Sequence, residues 1–250
     1  MQGAGEPTLV FIHGWSCDAT YWREQVGPFS ADHRVVTVDL AGHGASGQQR
    51  TDYTVEAFGG DVAAVLAAED IATAIVIGHS MGGPVALEAA LAAPARVIGV
   101  IGVDEFHDLG VTLTDEQIAG FTAPFAGDFA AAVAPWARSM FAAGDDSTLA
   151  DAVAQDMASA PPAVGRSAMD NLLHWFNRAS GRAGLLTVNL TAVNADKWPT
   201  DVEGNRRFIP GFEARILPGT GHFLMLTHPR EFNALLAAAV QEFAGAAGKR

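Results

Sequence analysis

Gly78-His79-Ser80-Met81-Gly82-Gly83 places a serine in a Gly-x-Ser-x-Gly setting. The β-branched run Ala74-Ile75-Val76-Ile77 precedes it and the helix-like Pro84 to Leu91 follows. That is the strand-to-helix context in which the pattern carries chemistry. Such a turn strains the serine backbone and demands small residues two before and two after, a demand Gly78 and Gly82 meet. The Ser80 hydroxyl is then free to attack a carbonyl carbon, and the Met81 backbone N–H faces the oxygen that becomes negative. An alcohol needs a base beside it, and the base needs an orienting acid. The base candidate is His222, in the Gly-rich loop Leu217-Pro218-Gly219-Thr220-Gly221-His222-Phe223; His228, just before Pro229, is the weaker one. His13-Gly14-Trp15 offers a second oxyanion donor through the Trp15 backbone N–H.

These groups must be carried by strand ends. Continuous apolar runs predict strands at Thr8–Ile12, Val35–Val38, Ala74–Ile77, Val97–Val103, Val188–Val193 and Ala214–Leu217. Helical spacing links Tyr21 to Phe29 and Val55 to Leu66, and a helix over about 229–244 closes the chain. Alternating strands and helices with fully apolar strands predict a mainly parallel sheet of about six strands, covered on both faces. Between 105 and 185 the strand signal disappears into Ala-rich helical sequence, broken near Pro124, Gly144-Asp145-Asp146 and Pro161-Pro162. The organisation expected is a core of residues 1–104 and 186–250 with a helical cap, 105–185, over the carboxyl ends of the sheet. Ligands of open α/β folds bind there.

Composition narrows the function classes. A formal charge of −13, with lysine only at 197 and 249, argues against nucleic acid and anionic membrane as partners. Cys17 is the single cysteine, so no disulfide framework or cysteine-rich metal site is expected. The first residues show no basic start or apolar stretch, and the expectation is a cytoplasmic protein without a membrane span.

His13-Gly14-Trp15, the loop Asp39 to Ser46, Gly78 to Gly83 and Gly221-His222-Phe223 together resemble the α/β-hydrolase superfamily, in order and spacing, over about 8–104 and 186–244. The resemblance implies the α/β-hydrolase fold, a Ser-His-acid triad and no cofactor. The Asp39 to Ser46 loop, which ends the second strand, is read as a structural rim to the site and not as catalytic. With only seven residues before Thr8, the N-terminal hairpin usual in that family is expected to be missing or replaced.

The acid is the open point. The family usually places it after the strand that follows the cap, where this sequence reads Asn194-Ala195-Asp196-Lys197-Trp198. In that alignment Trp198 takes the acid's place and Asp196 falls two residues early. Asp104 ends the strand before the cap, a position used by some haloalkane dehalogenases of the superfamily. Asp104 is favoured, Asp196 is the alternative, and Glu105 is a distant third. Serine as the nucleophile disfavours dehalogenase and epoxide hydrolase activity, since those relatives use aspartate. Asp104, Glu105, His107 and Asp108 match no zinc signature.

The resulting expectation is ester hydrolysis through an acyl-enzyme on Ser80, with activity falling in acid as His222 takes up a proton. The small to medium hydrophobic substrate would lie against Trp15, Phe106, Trp136 and Phe223. Arg138 and Arg178 are better read as solvated surface than as carboxylate binders. A receptor-like protein with little turnover, or an acyltransferase or perhydrolase with the same triad, are the alternatives. Oligomeric state has no signal here.

Overall fold

The computed structural model describes residues 1–247 of the 250-residue chain. Six strands form one sheet: β1 (Thr8–Ile12), β2 (Val35–Val38), β3 (Ala74–His79), β4 (Val97–Val103), β5 (Leu190–Ala195) and β6 (Glu213–Leu217). Their order is β2-β1-β3-β4-β5-β6 and every pairing is parallel. Every residue of β1, β3 and β5 is buried, as strands covered on both faces require. In front of β1, Gln2 makes an isolated antiparallel bridge to Val35 of the edge strand.

The core helices are α1 (Arg23–Phe29), α2 (Val55–Ala68), α3 (Gly82–Ala92) and, toward the end of the chain, α9 (Val202–Arg206), α10 (Leu224–Thr227) and α11 (Pro229–Ala247). Helix α3 packs on β1, β3 and β4 with α2 against it, while α11 packs on β4, β5 and β6 with α1 beside it. Among the described residues no helix is long and apolar enough to cross a membrane.

Between β4 and β5 come α4 (Asp115–Ala126), α5 (Phe129–Ser139), α6 (Ser147–Ala158), α7 (Pro162–Phe176) and α8 (Ala179–Ala183). Local chemistry sets their starts. Thr114 and Gln117 form a reciprocal capping box at α4, Asp128 and Asp146 cap α5 and α6, and Pro162 opens α7. The break expected near Pro124 falls at Gly127 and Asp128, with Pro124 itself in the last turn of α4. Side chains moor these helices to the core. Trp15 Nε1 donates to the Gly165 carbonyl at 2.7 Å and Tyr21 donates to Asp156 at 2.8 Å. Glu88 of α3, almost wholly buried, accepts from Trp175 Nε1 at 2.8 Å and pairs with both ends of the Arg182 guanidinium.

Strand order sets the place for a ligand. The chain runs from β1 outward to β2, then returns to β3 on the other side, so the crevice between the carboxyl ends of β1 and β3 is the topological switch point. Trp15 follows one of these ends and Ser80 the other.

Candidate active site

Ser80 occupies the turn between β3 and α3 with φ of +52°, a left-handed conformation that costs a non-glycine residue energy. The turn is tight enough that a Cβ on Gly78 would collide with the Gly82 carbonyl, and one on Gly82 would run into the β1 backbone at Ile12. Main-chain bonds hold the strain: Ser80 N–H donates to Val103 at 3.0 Å and Gly83 N–H returns to the Ser80 carbonyl at 2.7 Å. Met81 is the N-cap of α3, whose first-turn N–H groups have no helical acceptor. From the other side of the crevice the β1 loop approaches closely, since a Cβ built on Gly14 would lie 3.3 Å from Ser80 Cβ.

His13 fixes that loop. Its Nε2 accepts the Leu40 N–H at 3.0 Å, so its proton is on Nδ1, which faces the Gly14 carbonyl at 2.8 Å. Burial, aided by His43, pushes His13 down to about 4 and keeps the ring neutral. The Asp39 loop is held from within: the Asp39 carboxylate accepts from Ala19 and Ala45 N–H at 2.8 and 2.9 Å.

The structure brings Asp104 to His222. Asp104 ends β4 with φ of +48°, and its Oδ2 lies 2.6 Å from His222 Nδ1. Its other oxygen accepts the Ala195 N–H at 2.9 Å. Burial opposes the charge on Asp104, yet the His222 hydrogen bond and the nearby histidines outweigh it and hold the carboxyl below its usual range. Asp196 is elsewhere, accepting the Gly219 N–H at 2.9 Å in an exposed loop. Arg138 and Arg178 pair at the surface with Asp151 and Glu56.

His79 was legible only as motif filler, yet it supports His222. Its Nε2 donates to the His222 carbonyl at 2.9 Å, and its ring lies 4.5 Å from that of His222. Burial first, then the neighbouring His222, pushes His79 down to about 3, so it stays neutral beneath the site.

Ser80, Asp104 and His222 line a cavity of about 420 Å³ beneath the helices that follow β4, a size suited to a small organic molecule. Its apolar wall includes Trp15, Val111, Phe121, Trp136, Met140, Leu172 and Phe176. Glu105, His107 and Asp108 add a polar side. Burial pushes the Glu105 carboxyl up to about 8. Trp198, which the sequence offered only as a failed acid, lines the cavity and meets the His222 ring edge-on at 5.6 Å.

Two of the expected pocket aromatics lie elsewhere. Phe106, with φ of +58°, turns its ring onto Gly102 and Gly83 and is buried behind the cavity. Phe223 is buried against Phe141, 4.9 Å away, and borders a void of about 10 Å³ behind Ser80 instead of the main cavity. Among the described residues no group of three or more His, Cys, Asp or Glu is placed to hold a metal ion. Burial raises the Cys17 thiol well above its usual range, which keeps it un-ionised and unreactive.

Comparison with known proteins gives the family. Residues 9–235 match the sequence profile described as "Alpha/beta hydrolase family". The pimeloyl-[acyl-carrier protein] methyl ester esterase of Yersinia enterocolitica is 26% identical over 262 residues, covering 96% of this chain and 95% of that protein. A dihydrolipoyllysine-residue acetyltransferase component of the acetoin cleaving system, from Cupriavidus necator, is 39% identical over 99 residues. That match takes 40% of this chain and only 26% of the relative's length. Among solved structures, an N-acyl homoserine lactone degrading enzyme (Est816) superposes with a TM-score of 0.77 at 29% identity, covering 94% of each chain.

Proposed function

The chain belongs to the alpha/beta hydrolase family, and we propose that it is a serine hydrolase cleaving carboxylic esters and lactones of small to medium hydrophobic substrates. The observation that carries this reading is one cavity lined by a strained Ser80 and by a His222 whose Nδ1 is held 2.6 Å from Asp104. The Asp104 bond places the His222 proton on Nδ1 and leaves Nε2 as the basic nitrogen. His222 removes the Ser80 proton as Oγ attacks the carbonyl carbon. The backbone N–H groups of Trp15 and Met81 receive the developing oxyanion, in a site where α3 adds its positive end. His222 then protonates the leaving oxygen, the acyl-enzyme forms, and water activated by the same nitrogen releases the acid.

In this reading residues 105–185 are the cap that closes an apolar acyl pocket. The walls of Trp15, Trp136 and Leu172 support a hydrophobic acyl group, and the likeness to an esterase and to a lactone-degrading enzyme supports the ester bond. The test is a panel of aryl esters, methyl esters, acyl thioesters and N-acyl homoserine lactones run on wild type and Ser80→Ala. Hydrolysis lost in Ser80→Ala supports the reading. An inactive wild type across the whole panel would favour a binding role for the same cavity.

A further inference from the structure

The proposed chemistry uses one oxygen of Asp104. The other, Oδ1, takes the Ala195 N–H at 2.9 Å and faces His107 Nε2 at 3.6 Å. That nitrogen is buried and has no hydrogen-bond partner, and His107 lines the cavity.

The tautomer of His107 follows from a chain of bonds that starts at Asn194, near the end of β5. Asn194 pairs with the main chain of Glu105 in both directions: Oδ1 accepts its N–H at 3.1 Å, and Nδ2 donates to its carbonyl at 3.0 Å. A flipped amide would set N–H against N–H and oxygen against oxygen, so the pairing fixes the side chain. The second Nδ2 hydrogen goes to Thr200 Oγ1 at 2.9 Å. Thr200 then has its own hydroxyl hydrogen to give, and His107 Nδ1 lies 3.2 Å away. Asn194 Nδ2 also lies 3.4 Å from that ring nitrogen. Both Nδ2 hydrogens are thus committed, the Thr200 hydroxyl is the donor available to Nδ1, and in that arrangement Nδ1 carries the lone pair. The proton of the neutral ring is on Nε2, the atom that faces Asp104.

Resting on the reading of Asp104 as the acid of a Ser80–His222 pair, we propose that His107 is a positioning residue for that acid. Thr200 and Asn194 hold it as the Nε2–H tautomer, and it presents a donor to Asp104 Oδ1 opposite the oxygen that serves His222. At 3.6 Å the contact is longer than a formed hydrogen bond. The N–H dipole nevertheless acts strongly on a carboxylate withdrawn from water.

The groups that face His107 come from three elements. Asp104 ends β4 and His222 lies on the β6–α10 loop, and both act on its charge. The β5–α9 loop brings Thr200 and Trp198, whose ring meets His107 edge-on at 6.1 Å and carries Lys197 against it. Glu105 and Asp108 flank His107 on its own loop. Burial, the largest influence, pushes His107 below its ordinary value, so the neutral ring is the resting form at neutral pH.

With the donor in place, Asp104 shares less of its charge with His222. Removing it frees that charge for the imidazolium, which favours the protonated site in acid.

The experiment is the pH dependence of kcat on an aryl ester for wild type, His107→Leu, His107→Gln and Thr200→Val. The acid limb of His107→Leu should move to higher pH by about half a unit. Glutamine, which keeps an N–H donor, should restore most of the wild-type profile, and Thr200→Val should shift it in the leucine direction by less. Nitrogen-15 histidine NMR of the resting wild-type protein should find the His107 proton on Nε2. An unmoved acid limb in an active His107→Leu, or a proton on Nδ1, overturns the proposal. If His107→Leu fails to fold, an unmoved Thr200→Val profile overturns it equally. A wild type without ester turnover defeats the hydrolase reading instead, and the NMR tautomer alone then judges this one.

Discussion

Asp104→Asn tests the acid assignment with an outcome worked from two hydrogen bonds. In the native site Oδ1 accepts the buried Ala195 N–H at 2.9 Å and Oδ2 accepts His222 Nδ1–H at 2.6 Å. Asparagine has one oxygen to serve both donors. Turning that oxygen toward His222 leaves the Ala195 N–H facing an amide N–H, a buried loss of about 1–3 kcal/mol. The favoured arrangement keeps the oxygen on Ala195 and sets the NH2 against His222 Nδ1. That forces the histidine proton onto Nε2, where it can no longer take one from Ser80. Wrong tautomer and lost charge together should lower kcat/KM by about 10⁴. At about 1.4 kcal/mol per factor of ten, this is about 5.5 kcal/mol of barrier. Asp196→Asn should stay within about threefold, because asparagine still offers an oxygen to the Gly219 N–H that Asp196 holds at 2.9 Å. The assay is steady-state hydrolysis of an aryl ester near pH 8. A large loss in Asp196→Asn, with Asp104→Asn within tenfold of wild type, would refute the reasoning.

Two further perturbations concern stability. Glu88→Ala removes the acceptor shared by Trp175 and by Arg182, a guanidinium that is 31% exposed. Breaking a fully buried pair costs about 3–5 kcal/mol, and the exposure of Arg182 reduces this to about 2–3 kcal/mol. Urea unfolding should show that loss, and a change under about 0.5 kcal/mol would mean the helices following β4 are held by other contacts. Glu105→Gln should stabilise the protein in alkali. The folded carboxyl, raised by burial to about 8, stays protonated where the unfolded chain has ionised. The folded state therefore binds the extra proton, and wild-type stability falls as pH rises from about 4.3 to about 8. The Tm of Glu105→Gln should gain on that of wild type across this window, and a constant difference would show that Glu105 ionises normally.

Much of the site was legible because its signals are local. The Ser80 turn announces itself through glycines whose replacement would strike backbone, and His13-Gly14-Trp15 sits at the end of an unbroken apolar strand. Asp104 was legible as a strand-end carboxylate. Its contact with His222, 2.6 Å away while Asp196 turns to Gly219, depends on where the β6–α10 loop delivers His222, which no local pattern encodes. The same limit hid the support of His79 beneath His222 and the place of Trp198 beside it, since both arise from separate loops meeting in space. Strand β5 runs to Ala195, two residues beyond its predicted end, because Asn194 and Ala195 pair with Ile216 and Leu217 of β6, and the polar Asn194 side chain is accommodated there by the Glu105 backbone. Phe106 misled for a related reason. A left-handed backbone angle turns its ring under the cavity wall, and aromatic composition carries no record of that angle.

The most direct measurement of the central claim is hydrolysis of an activated aryl ester by wild type and Ser80→Ala, prepared in parallel and shown to fold alike. Wild type should turn over, and the alanine variant should lose at least about 10³ in kcat/KM, since it lacks the hydroxyl that attacks the carbonyl. Turnover in Ser80→Ala at the wild-type rate would contradict the account, because the cavity would then be working without the serine on its strained turn.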